Sequence, residues 1–141
     1  MPIPPDLAWQ LSDQIGHAYS IVLAISQQEL ADEPLTVTEL VALLVLHGFP
    51  DGLTQTAWGE YQGVSRQRAH IIGNKLTGDG LVDITREGRS STVTLTRAGK
   101  ALIARVQPRA SKALASAMHG LTTAEARELS KLLAKLTDAS G

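Results

Sequence analysis

The sequence predicts an α+β fold, mainly α with a small β wing. Three observations predict it. Apolar residues recur at helical spacing over most of the chain, a glycine-bearing turn near Gly63 leads into a helix with one strongly polar face, and two short β-prone runs flank Gly88. In order, these describe a winged helix-turn-helix with long helices at both ends. At 141 residues, with 43% hydrophobic and 19% charged side chains, the chain suits one compact domain.

The first helix follows Pro4-Pro5, with Asp6 as its expected N-cap. Leu7, Leu11, Ile15, Ala18, Val22 and Ile25 recur every three or four residues, and Tyr19, Leu23 and Leu30 widen the same face. That apolar arc covers about 200°, twice the stripe of an ordinary surface helix, so the helix is expected to pack on two neighbours, one of them a partner chain. His17 falls on the polar side with Gln10 and Asp13.

Thr36 or Thr38 is expected to cap a second helix with Leu40, Leu43, Leu44 and Val45 inward, ending at His47-Gly48 with glycine as the C′ residue. Phe49-Pro50-Asp51-Gly52 is turn chemistry. A short helix over 54–62 carries Trp58, whose expected place is the core rather than a ligand site. Gly63 breaks it, and Ser65 caps the next helix, expected to reach about Asp79.

That helix is the most informative segment. Ala69, Ile72 and Leu76 define one buried face, while Arg66, Gln67, Arg68, His70, Asn74 and Lys75 occupy other positions, a set able to reach phosphates and base edges. A two-stranded hairpin follows, with runs at 81–85 and 91–95 joined by Arg86-Glu87-Gly88-Arg89-Ser90. Arg89 at the tip has no evident buried partner and suits a narrow, negative minor groove. Thr96 caps a further helix in which Pro108 is expected to cause a kink or interruption. Thr122-Thr123-Ala124-Glu125 is a capping box opening a last helix, with Leu129, Leu132, Leu133 and Leu136 expected inward.

Charge is distributed unevenly. The first 64 residues hold eight acidic side chains and no Lys or Arg, whereas residues 65–109 hold nine basic side chains against three acidic ones, within a net charge of -1. Such a basic stretch suits a polyanion met by one face, although clustered solvated charge would give the same pattern.

Several function classes are excluded. The chain has no cysteine, which removes thiol chemistry and cysteine metal sites. His17, His47, His70 and His119 share no i, i+3 or i, i+4 spacing, so no metal site and no cofactor are expected. No nucleophile elbow, P-loop or zinc-protease motif is present, and the expectation is a non-enzyme. The longest apolar run, Leu40 to Leu46, is seven residues, and the start lacks a basic targeting segment, so a cytoplasmic location and no membrane partner are expected.

Gly63-Val64-Ser65-Arg66, Leu76-x-x-x-Gly80-Leu81-Val82, Gly88-Arg89-Ser90 and Val93-Thr94-Leu95-Thr96-x-x-Gly99 together resemble the MarR family of bacterial and archaeal transcription regulators, over about Leu53 to Ile103. The resemblance implies a homodimer whose N- and C-terminal dimerisation helices (6–33 and 97–141) interdigitate, with the winged helix-turn-helix at 34–96. It further implies double-stranded DNA as partner, recognition helices in successive major grooves of a palindromic operator, and repression. Candidate DNA-binding residues are Ser65, Arg66, Gln67, Arg68, His70, Asn74, Lys75, Arg86 and Arg89. A crevice for small, often aromatic or anionic effectors is also implied, with Tyr19 as a candidate lining residue, for which ordinary packing is the competing reading. The chain departs from the family pattern in a wing about two residues short, in Glu87 two before the wing arginine, in Ile71 on the recognition helix, in Gln62 for a usual leucine, and in an apparent insertion at Phe49-Pro50-Asp51. A second reading, from another class, is a protein-interaction module whose basic face docks an acidic partner. Salt dependence of duplex binding separates the two.

Overall fold

The computed structural model describes residues 2–140 and shows a mainly helical chain with a small antiparallel sheet. Helix α1 (Pro5–Glu29) leads through a connector to α2 (Val37–His47), a short strand β1 (Leu53–Thr54) and α3 (Gln55–Gln62). Then come α4 (Arg66–Gly78), strands β2 (Val82–Glu87) and β3 (Ser90–Leu95), α5 (Arg97–Ala117) and α6 (Thr123–Ser140). No described helix is long and apolar enough to cross a membrane.

Local side-chain chemistry sets most boundaries. Thr36 caps α2 in a full capping box: its Oγ1 accepts from the Glu39 N–H at 3.2 Å, and Glu39 Oε1 accepts from the Thr36 N–H at 3.0 Å. Thr54 and Ser65 cap α3 and α4 by accepting from Ala57 and Arg68 N–H groups, each at 3.1 Å. Thr122 and Glu125 form the expected box at α6. Asp6 does not cap α1. The N-cap lies two residues earlier, at Pro4, whose side chain has no acceptor and makes no cap bond, while Pro5 at the first helical position suits the helix start because it has no N–H to satisfy there. Gly48 closes α2 in the right-handed conformation, φ -80°, and so is not the left-handed C′ stop expected of it; the N–H bonds back to Val45 and Leu46 carbonyls suffice.

The wing is a three-stranded sheet of order β1-β3-β2 rather than a bare hairpin. Leu53 pairs with Val93 and Thr54 with Thr92, while β2 and β3 pair from Val82↔Leu95 to Glu87↔Ser90. The hairpin is therefore longer than expected and closes on two residues, Gly88-Arg89. Gly88 takes φ 62°, the conformation a tight hairpin turn demands at its first position.

The Thr96-x-x-Gly99 motif has a structural cause. Thr96 Oγ1 accepts from the Gly99 N–H at 3.0 Å and donates to the Gly80 carbonyl at 2.6 Å, tying the start of α5 to the end of the helix-turn-helix. A Cβ at Gly99 would collide with the Leu81 carbonyl. Pro108 neither ends nor splits α5, which is continuous to Ala117. Proline removes one N–H bond, to the Ala104 carbonyl, and both residues are exposed, where the loss costs less than in a core.

The core sits inside the winged helix and the first half of α5. Leu43 and Leu46 of α2, Trp58, Leu76, Val82, Val93, Ile103 and Val106 are essentially fully buried. The Trp58 indole, 1% exposed, donates to the Ala42 carbonyl at 2.8 Å, so it is a satisfied core residue as expected. The terminal helices differ. Helix α1 contacts α5 but buries no residue, and from Thr123 to Asp138 every side chain of α6 is exposed. Leu129, Leu132, Leu133 and Leu136, expected inward, face solvent in the single chain. Their period is that of a packing face, and among the described residues Leu129, Leu132 and Leu133 remain exposed on it.

Candidate nucleic-acid interface

Helix α4 is anchored from one side and open on the other. Ile72, Gly73 and Leu76 are buried and Ala69 is half-buried; the close approach at Gly73 brings the Trp58 ring and Ile84 of β2 against the helix. Arg66, Gln67, Arg68, His70 and Asn74 are all exposed. The spacing expected for a buried face therefore produces an exposed polar face. Ile71, 53% exposed, lies on the stripe between Gln67 and Asn74, where an apolar side chain suits a thymine methyl rather than a phosphate. Ser65 is the N-cap, with its oxygen engaged at Arg68 and its O–H free to donate.

Arg89 stands at the wing tip, and Arg86 lies on β2 in register with Ser91. By strand alternation Arg86 shares the face that carries Val82 and Ile84 toward the helices. Among the described residues Arg66, Arg68, Arg86 and Arg89 make no ion pair within the chain. Four exposed cations are thus left uncompensated on one helix and one wing.

The rest of the basic stretch is partly spent internally. Arg105 grips Glu33 with two bonds, and Arg109 bonds Asp32 at 3.1 and 3.3 Å and the Glu29 carbonyl at 3.0 Å. Both arginines hold α5 to the connector after α1, and neither is free for a polyanion. The Arg109 guanidinium lowers the Asp32 pKa, and Arg105 lowers that of Glu33 against a smaller opposing effect of burial.

Lys75, expected among the DNA-facing residues, is also committed. Its ammonium pairs with Glu39, with Asp79 at 3.0 Å and with the Pro34 carbonyl at 3.3 Å. Glu39 is 6% exposed, the one buried charged residue among the described residues. Burial pushes its carboxyl up, and the Lys75 ammonium with the Thr36 hydrogen bonds outweighs that, so it titrates below the ordinary range. Sequence reading missed Glu39 as a buried partner; its one signal was the Thr36-x-x-Glu39 box.

A groove of about 490 Å³ runs between α3 and α4, bordered by Trp58, Val64, Arg66, Ala69 and His70. Tyr19 does not line it; the ring is 61% exposed on α1. Among the described residues no His, Asp and Glu cluster could hold a metal ion.

A capped helix with an open polar face, an arginine-tipped wing and long terminal helices make a winged helix-turn-helix fold. Comparison with known structures finds the same fold over nearly the full chain in proteins described as MarR-family members. BpsR of Bordetella bronchiseptica, described for regulation of its DNA binding by 6-hydroxynicotinic acid, is 25% identical with a TM-score of 0.81, over 91% of this chain and 98% of that one. A MarR-family protein of Mycobacterium tuberculosis in complex with p-aminosalicylic acid is 27% identical with a TM-score of 0.74, covering 90% and 98%. A MarR-family regulator of Silicibacter pomeroyi is 26% identical with a TM-score of 0.75, covering 87% and 84%. No protein-family model and no curated protein sequence matches the chain.

Proposed function

We propose that the protein is a sequence-specific, double-stranded DNA-binding transcription regulator that acts as a homodimer, most simply as a repressor. The observation that carries this reading is the open face of α4, where Arg66, Gln67, Arg68, His70 and Asn74 are exposed, together with Arg89 at the wing tip, which makes no ion pair among the described residues. Docked in a major groove, the N-terminal part of such a helix meets base edges while the wing meets phosphate or the minor groove. Ser65, Arg86 and Arg89 then serve the backbone. The helical ends, 6–33 and 97–141, form the dimer, and 34–96 form the reading head.

The homodimer explains the apolar side chains that α1 and α6 leave exposed. A second copy of the chain offers the same faces, so pairing across a two-fold axis buries both. It also sets two reading heads against a palindromic site.

BpsR and the Mycobacterium tuberculosis protein support an effector of the small aromatic acid class that shifts DNA affinity. Selection of bound fragments from random duplexes tests the reading. A palindromic consensus is expected, and recovery of unenriched sequence would favour the acidic-partner alternative.

A further inference from the structure

We propose that Lys75 is a positioning residue of the recognition helix and not a DNA contact. An ammonium has three donors, and the three acceptors around Lys75 are Glu39, Asp79 and the Pro34 carbonyl. A phosphate bond would require surrendering one of them. Surrendering Glu39 is the costly choice, because its Oε2 is buried and has no hydrogen-bond partner to take the place of the ammonium. Lys75 also sits in the last turn of α4. It lies about 13 Å along the axis from Arg66, away from the N-terminal residues that meet bases.

What the ammonium joins gives it a task. Glu39 is fixed in the first turn of α2 by the Thr36 box, and Pro34 lies in the connector that Arg105 and Arg109 hold against α5 through Glu33 and Asp32. Lys75 therefore couples the far end of the recognition helix to the place where the long helices meet the reading head. The angle at which α4 is presented depends on that bond.

The inference rests on the DNA-binding reading, and the test separates the two. Lys75→Met and Glu39→Gln are compared with the parent in amide exchange and in duplex binding from 50 to 300 mM salt. Without DNA, exchange in the second half of α4 and in 30–36 is expected to speed up about tenfold in both variants, since each breaks the same bond. Against the selected duplex both are expected to bind about tenfold more weakly with the parent's slope of log affinity on log salt, because no phosphate contact is lost. A slope reduced by about one unit in Lys75→Met, parental binding by Glu39→Gln, or unchanged exchange in both variants overturns the assignment. If the parent itself binds no duplex selectively, the DNA reading fails, and the exchange result alone decides whether Lys75 positions α4.

Discussion

Arg105 and Glu33 meet in a two-bond pair, Nε to Oε1 at 2.9 Å and Nη2 to Oε2 at 3.0 Å, that fastens the middle of α5 to the connector between α1 and α2. Arg109 repeats the contact one helical turn on, with Asp32. Together they fasten α5 to the connector ahead of α2, and leave two arginines of the basic stretch paired within the chain.

This clamp predicts an acid-sensitive fold. Asp32, Glu33 and Glu39 all titrate below their ordinary values in the folded chain, so each contributes stability above the ordinary carboxylate range and loses it as pH falls through the lowered values. Melting temperature should be level near neutrality and fall below about pH 4.5. In Arg105→Ala combined with Arg109→Ala the fall should be shallower; an identical pH profile would remove the clamp from the account.

Trp58→Phe tests the core of the reading head. The substitution leaves the Ala42 carbonyl without its indole donor and a gap beside Gly73, and should cost about 1–3 kcal/mol in denaturant unfolding. Arg66→Ala, on the open face, should cost within about 0.5 kcal/mol.

Sedimentation tests the exposed apolar faces. The parent should run at micromolar concentration as twice 15.0 kDa. Leu132→Glu with Leu133→Glu on α6 should give monomer or insoluble protein. A 15.0 kDa parent would mean that α1 and α6 remain uncovered.

The wing should act separately from the helix. Arg89→Ala is expected to weaken binding to all duplexes and lower the salt slope by about 1, with sequence preference softened mainly at flanking A·T-rich positions. Parental affinity and slope would show that the two-residue tip does not reach DNA.

What the sequence made legible was local. Ser65, Thr96 and Thr122 announce helix starts because a cap bond spans only three residues, and the buried face of α4 follows from the spacing of Ala69, Ile72 and Leu76. Strand β1 was not legible, since two residues carry no period and Leu53 pairs only because Val93 arrives from forty residues away. Nor was the fate of the cations: Arg105, Arg109 and Lys75 read like Arg66 and Arg68 along the chain, and only the fold brings Glu33, Asp32 and Glu39 to the first three. The interruption expected at Pro108 does not occur, because a breaker on an exposed helix face costs less than the same residue in a core.

The most direct test is duplex binding by Arg66→Ala and Arg68→Ala against the consensus selected by the parent. Both side chains point away from the core of the reading head, so far-ultraviolet circular dichroism and melting temperature should match the parent. Specific affinity should fall by about 1–3 kcal/mol for a residue making a bidentate base contact, with preference relaxed at the contacted base pairs. Parental affinity and parental preference in both variants would contradict the assignment of α4 as the recognition helix.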